Sequence, residues 1–256
     1  ASLPGMLRAA RYKPVVWTTE DFPDIDVYTD PDDLFARGDI DLVTVITPHN
    51  THADLGLRAL SAGKHVILEK PMCITTAEGG EMIRLAREKG KMLTVYHNRR
   101  WDGWYMTLKE LMAKGLIGDI FQMEMVFGGY GRPRDWWRSD KKISGGALYD
   151  WGAHLIDYAL GVVPGGIRSV RGVVHNLLWH EFTNEDHIES EIHMENGATI
   201  RVEISALTHA PKPHILIQGT KGSIVDNNIF DGELTFFTDL AGVKVETKVA
   251  TQKDDG

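Results

Sequence analysis

The sequence has a single cysteine, Cys73, among 256 residues. An internal disulfide is therefore excluded, and a reducing compartment is expected. Long apolar runs are also missing: none approaches the roughly 20 residues that span a bilayer. No charged-then-apolar leader opens the chain, so the expectation is a cytoplasmic protein without a membrane partner. Positive charge is scarce. The 28 Lys and Arg residues face 36 Asp and Glu, a formal net charge of -8, which argues against nucleic acid as the main partner. A local basic pocket for phosphates is still compatible with that balance. No tight His/Cys/Asp spacing resembles a zinc site, so no metal is expected. What remains is ample apolar material. At 43% apolar residues, the chain can build one large core or two modest ones.

Between Leu42 and Tyr96 two kinds of segment alternate. Leu42–Ile46, His65–Leu68 and Met92–Tyr96 are short, β-branched and almost wholly apolar, as strands buried on both faces of a parallel sheet are. A helix from about Thr51 to Gly63 sets Leu55, Ala59 and Ala62 on one face. A second helix opens with the capping box Thr75-Thr76-Ala77-Glu78, carries Met82, Ile83 and Ala86 as its stripe, and stops at Gly90. Strand, helix, strand, helix, strand is half of a doubly wound sheet. A helix over Met106–Gly115, a strand over Ile120–Phe127, an aperiodic Gly/Arg/Trp-rich stretch and a helix from Gly146 to about Leu160 follow.

Beyond that point the period becomes two. Ile188, Ser190, Ile192 and Met194 oppose Glu189, Glu191, His193 and Glu195, and Ala198 to Ala206 repeats the alternation. A two-residue Asn196-Gly197 loop would mismatch the faces. A three-residue Glu195-Asn196-Gly197 loop pairs Met194 with Ala198, Ile192 with Ile200 and Glu191 with Arg201, with Gly197 at positive φ. His214–Gly219 and Gly222–Val225 add strands. The fold class is thus α/β: a partial Rossmann doubly wound parallel sheet, then an α+β domain with an open, mostly antiparallel sheet. The boundary falls near Asn98–Arg99, giving units 1–98 and 99–256.

Ligands of open parallel sheets sit beyond the carboxyl ends of the strands. The residues there are Thr47-Pro48-His49-Asn50-Thr51-His52, Glu69-Lys70-Pro71 and His97-Asn98-Arg99-Arg100. Lys70 ends a buried strand before a proline. Partial burial would bring its ammonium toward the range useful for proton transfer; the alternative is an ion pair with Glu69 or another carboxylate. In Asp150-Trp151-Gly152-Ala153-His154-Leu155-Ile156-Asp157, helical spacing puts Asp150 and His154 on one face, with Asp157 also beside His154. A carboxylate there would fix the imidazole tautomer and raise its basicity. The alternative is an ordinary helix-surface pair. Trp136, Trp137 and Trp151 suit a core or the wall of a sugar pocket, and Cys73 reads as packed rather than nucleophilic.

Four blocks in this order resemble the Gfo/Idh/MocA oxidoreductases: Thr47–His52, Ala62–Pro71, Asn98–Trp101 and Gly145–His154. The resemblance extends from about Val27 to Val225. It implies a Rossmann domain followed by a domain whose open sheet often serves oligomer contacts, so a homo-oligomer is expected. It further implies hydride transfer between NAD or NADP and a hydroxyl carbon of a sugar, polyol or related small molecule. By position, Lys70, Asp150 and His154 match the catalytic set, with His154 taking the hydroxyl proton, Lys70 holding that oxygen, and Asp150 orienting and polarising. Thr47, Pro48, Asn50, His52, Glu69, Lys70 and Asn98 match the nicotinamide side of the cofactor site. Arg99, Trp137, Arg138 and His154 match the substrate side.

The sequence departs from the family in its Gly-rich turn. G-x-G-x-x-G is absent, as is the residue that chooses between NAD and NADP, and Pro4-Gly5-Met6 is no substitute. The chain opens Ala1-Ser2-Leu3 without methionine and stops at Asp255-Gly256, where relatives continue; loss of the first β-α-β and of the C-terminal end is the expectation. Two other readings share the fold: a hydrolase using bound nicotinamide as a redox catalyst, and a non-catalytic sugar or nucleotide sensor.

Overall fold

The computed structural model describes residues 24–252; the openings at Ala1-Ser2-Leu3 and Pro4-Gly5-Met6 and the stop at Asp255-Gly256 lie outside them. After a short helix α1 (Pro31–Phe35), β1 (Leu42–Val45), α2 (His52–Ser61), β2 (His65–Glu69), α3 (Thr76–Lys89) and β3 (Leu93–Tyr96) alternate. The strands form a parallel sheet in the order β1-β2-β3. Thr75 and Glu78 make the expected reciprocal cap of α3, and Gly90 closes it in the left-handed region.

Two expectations for this half need correction. The strands are not buried on both faces: alternate residues such as Val43, Val45, Val66 and Leu68 are buried, while Leu42, Thr44 and Thr94 are exposed. Among the described residues α2 and α3 pack against each other and on one side of the sheet, and only that side forms a core with Leu60 and Met82. The helix stripes are also rotated by about one residue from those expected. Ala62 caps the end of α2 and is exposed, and Ile83 is 41% exposed, because the inner face is set by Gly56, Ala59, Leu60 and by Gly79, Met82, Ala86.

Among the described residues the second sheet has eight strands. They are β4 (Ile120–Gly128), β5 (Ile167–His175), β6 (His187–Met194), β7 (Thr199–Ser205), β8 (Ile215–Gly219), β9 (Gly222–Asp226), β10 (Glu233–Leu240) and β11 (Val243–Ala250). Their order is β11-β10-β9-β8-β4-β7-β6-β5, antiparallel throughout except where β4 lies parallel to β7. The β6–β7 hairpin has the predicted register, Ile192 opposite Ile200 and Glu191 opposite Arg201, with the Met194 amide donating to Ala198 and Gly197 at φ 92°. Slipping by one residue would bury the glutamates, which fixes the pairing. One face carries Met123, Met125, Ile192, Ile200 and Ile217 against α4 (Gly103–Ala113) and α6 (Trp151–Val162). The opposite face presents Glu124, Glu191 and Arg201. A short α5 (Lys141–Ser144) breaks the aperiodic stretch. Among the described residues no helix is long and apolar enough to cross a membrane.

Candidate active site

The carboxyl ends of β1 and β2 are tied together before any chemistry is considered. His52 is wholly buried, its ring nitrogens 2.7 Å from the Pro71 carbonyl and 2.9 Å from that of Thr47. It ties the two loops together from a buried position. The Thr51 hydroxyl donates to the Pro48 carbonyl, which leaves the Thr47 hydroxyl to donate to Thr51 at 2.6 Å. His49 is also buried, its Nδ1 2.8 Å from the Ser144 carbonyl and its ring edge-on to Trp137. Burial pushes its pKa down to about 4, so it is neutral at pH 7.

From β2, Lys70 reaches across to the second half of the chain. Its ammonium donates to Asp150 Oδ1 at 2.6 Å and to the Asp150 carbonyl at 3.0 Å, with the lysine side chain only 12% exposed. Of the two possibilities for Lys70, the structure realises the ion pair. Glu69 is engaged elsewhere, accepting from the Lys70 amide. The Asp150 carboxylate also lies 3.6 Å from Arg138 Nε, and the Arg138 guanidinium stacks over Trp136 and Trp137. Burial alone would raise the Asp150 pKa; Lys70 and Arg138 outweigh it and hold the carboxyl below its usual value.

The expected Asp150–His154 helical pair does not form. Gly145 and Gly146 adopt positive φ, the next turn is 3-10, and Asp150 precedes α6 with ψ -84° instead of standing inside it. The i,i+4 rule needs helical backbone at both ends, and here the carboxylate is swung to the lysine. Asp157 is likewise taken, held by both Nε and Nη2 of Arg100 at 2.7 and 2.5 Å. His154, 4% exposed, is left with a buried Nδ1 that has no hydrogen-bond partner among the described residues. Its pKa is not raised but pushed down to about 3, first by burial and then by the cationic Lys70 and Arg99. The imidazole is therefore neutral at pH 7, and an imidazolium formed here would give up its proton more readily than that of an ordinary histidine.

Arg99 completes the far wall: it bonds Asp102 at 3.1 Å and its guanidinium covers Trp151 at 4.7 Å and Phe230 at 5.8 Å. Trp151 in turn stacks on Phe127 at 3.8 Å. The tryptophans are thus walls more than core. A cleft of about 490 Å³ runs from Asp150, Arg138 and Trp151 outward past Trp136.

Two domains of one family match the chain along most of its length. The "Oxidoreductase family, NAD-binding Rossmann fold" domain matches residues 9–97, and the "GFO/IDH/MocA C-terminal domain" matches residues 105–225. The chain belongs to the Gfo/Idh/MocA oxidoreductase family. It is 41% identical over 142 residues to the scyllo-inositol 2-dehydrogenase (NADP(+)) of Bacillus subtilis, covering 55% of this chain and 39% of the relative. Identity to the uncharacterized oxidoreductase YdgJ of Escherichia coli is also 41% over 142 residues, 55% of this chain and 41% of that one. The chain thus spans about two fifths of the length of these curated relatives. Among solved structures, levoglucosan dehydrogenase in complex with NADH and L-sorbose superposes with a TM-score of 0.75 at 28% identity, over 87% of this chain and 64% of that one.

The family's dinucleotide fold leaves a testable imprint on these residues. Asn50 and Asn98 are exposed at the strand ends, and their side chains have no hydrogen-bond partner among the described residues. With Thr47 also exposed and Pro48 half-buried beside them, the edge offers side-chain amides of the kind that hold a carboxamide ring. The residues fit the nicotinamide end. Of two further neighbours of the site, His97 was read among the strand-end residues but given no role, and Phe230 was not singled out. His97 stands perpendicular to His154 at 5.9 Å and 3.8 Å from Asp157; its position at a strand end was the available signal. Phe230 lies in an Asn/Asp/Gly turn, where an exposed aromatic has no packing reason to be. Cys73 packs against Gly79, and burial first of all pushes its thiol pKa up.

Proposed function

We propose that this chain carries the catalytic cleft of an NAD- or NADP-dependent dehydrogenase acting on a carbinol carbon of a sugar or polyol. The observation that carries the reading is the 2.6 Å contact of Lys70 with Asp150 across two structural units, one helical turn from the buried, neutral His154. The two apolar clusters, one within residues 35–86 and one within 104–236, support a division at Asn98–Arg99.

Bound nicotinamide supplies the hydride acceptor or donor. Thr47, Pro48, Asn50, Glu69 and Asn98 line its side of the cleft. Lys70 is oriented by Asp150, so that one of its remaining N–H bonds is free to hold the substrate oxygen and stabilise the charge that develops there. His154 exchanges the hydroxyl proton with that oxygen. Neutral at working pH, its imidazole is free to accept the hydroxyl proton as the carbinol is oxidised, and in reverse the imidazolium so formed returns that proton to the alkoxide. Arg99, Trp137 and Arg138 bound the substrate, and Trp151 excludes water from beneath it. We further infer that a second copy meets the open sheet face at Arg171, Glu191 and Arg201, which sedimentation velocity tests directly.

The decisive experiment is a screen of sugars and polyols with NAD and NADP, following reduced nicotinamide. Substrate-dependent net reduction is expected, lost by a hundredfold or more in Lys70→Met, as removal of one charge-stabilising donor does (about 10²–10³-fold). Sugar cleavage without net reduction would replace this reading with the hydrolase; full function in Lys70→Met would replace it with the sensor.

A further inference from the structure

A cleft adjoins the reacting end at Asp150. Its volume of about 490 Å³ falls among pockets that enclose ligands larger than a small polyol (about 300–1,000 Å³). Asp150, Arg138 and Trp151 line it together with Gly129, Tyr130 and Gly131. Tyr130 is 53% exposed, and its ring lies nearly parallel to that of His209, with centroids 3.9 Å apart and planes at 24°. Trp179 flanks it at 6.2 Å. Half-exposed, stacked aromatic rings at the mouth of a cleft are not explained by core packing.

The platform is built on backbone rather than on mobile side chains. Beyond the ends of β4 and β7 the two segments continue to pair: the Gly129 amide donates to Ser205, Gly131 to Ala206 and Thr208 back to Gly129, each at 3.0–3.1 Å. Tyr130 and Leu207 form an antiparallel bridge between them. A Cβ at residue 128 would stand 2.7 Å from Thr208 Oγ1, so glycine there is what lets the segments close and bring Tyr130 onto His209. At the rim, Arg132 bonds Glu181 at 2.9 Å and Asp135 at 3.3 Å, placing planar charged groups near the rings.

A pyranose ring presents C–H bonds on its faces and hydroxyls around its edge. The negative face of an aromatic ring attracts the former, and carboxylate and guanidinium groups pair with the latter. We propose that Tyr130 and His209 form a second sugar subsite, so that the substrate is a two-ring sugar, a disaccharide or glycoside. Its reacting ring lies at Lys70–Asp150 and its second ring lies on Tyr130. This inference rests on the dehydrogenase reading for the reacting end.

The test compares D-glucose with its disaccharides cellobiose and maltose, by calorimetric binding and by turnover with nicotinamide. Wild type should bind at least one disaccharide tenfold or more tighter than glucose. Tyr130→Ala should abolish that preference while leaving glucose unchanged, and Tyr130→Phe should keep it. Equal affinity of wild type for one and two rings, or an equal loss for both in Tyr130→Ala, overturns the subsite. The two readings fail separately. If disaccharide binds in a Tyr130-dependent way but no sugar reduces nicotinamide, the dehydrogenase reading falls and the platform stands. If glucose is oxidised while disaccharides gain nothing, the platform falls alone.

Discussion

On the open face of the large sheet, Glu191 is held by Arg171, His193 and Arg201 at 2.6, 2.8 and 3.1 Å. In the cleft, among the described residues, His154 keeps an unpartnered Nδ1, and Arg138 Nε is likewise buried without a hydrogen bond. Both regions hold several charged groups at close range. On the sheet, each charge is answered by a neighbour within the chain. In the cleft, donors and a proton acceptor are left over, and leaving buried polar atoms unmet costs about 1–3 kcal/mol each. A fold tolerates that cost where a ligand is to meet them. Unmet atoms also occur in the scaffold, at Trp104 Nε1, Ser190 Oγ and Asp226 Oδ2; the cleft differs in setting an unmet imidazole and guanidinium beside the Lys70–Asp150 pair.

The largest effect expected from this contrast is on rate. His154→Asn should lower kcat/KM by about 10²–10⁴-fold while the urea midpoint stays put or rises, since a strained, unpartnered ring is removed. A stability loss with intact turnover would break the comparison. Ile200→Ala, at a wholly buried position in the sheet core, should do the reverse: about 2–5 kcal/mol lost in urea unfolding, with unchanged turnover per folded molecule.

Next comes pH. His49 and His154 titrate near 4 and 3 when folded, against an ordinary value of 6.5. Below 6.5 the unfolded chain binds these protons and the folded chain does not. Stability is therefore full above about pH 6.5 and falls as pH drops toward 4, by up to about 1.4 kcal/mol per pH unit for each ring. Urea midpoints at several pH values should show that slope, and His154→Asn should flatten it. The smallest effect belongs to the sheet face. Arg201→Gln should change stability by no more than about 1 kcal/mol, since Arg201 is 55% exposed and Glu191 keeps Arg171 and His193.

Parts of this architecture were legible in the sequence wherever a pattern had one physical solution. The β6–β7 register is one, because a slip would bury Glu189 and Glu191. The α3 cap is another, because Thr75 and Glu78 satisfy each other's backbone. The edge where Thr47, Lys70 and Asn98 gather followed from strand direction alone. Other features had no such constraint. β5 is exposed along its length, so no burial period marks it, and β10 and β11 went unread for want of a distinctive signal. Asp150 was assigned to His154 by helical spacing, and the dihedrals of Gly145, Gly146 and Asp150 itself undo that spacing. Its true partner, Lys70, is eighty residues away in sequence; a contact of that range leaves no periodic trace. The basicity of His154 was misjudged for the same reason, since it depends on which cations fold around it.

The position of β4 has a consequence during synthesis. It sits in the middle of the eight-strand sheet, yet its partners β7 and β8 begin only at Thr199 and Ile215. As the ribosome advances, the small sheet can close once Tyr96 has emerged, while Phe121, Met123, Met125 and Phe127 wait with both strand edges bare. Such segments are what nascent chains misassociate through. Dependence on chaperones should therefore concentrate in the Ile120–Gly128 window, far in sequence from the lysine that the chemistry needs.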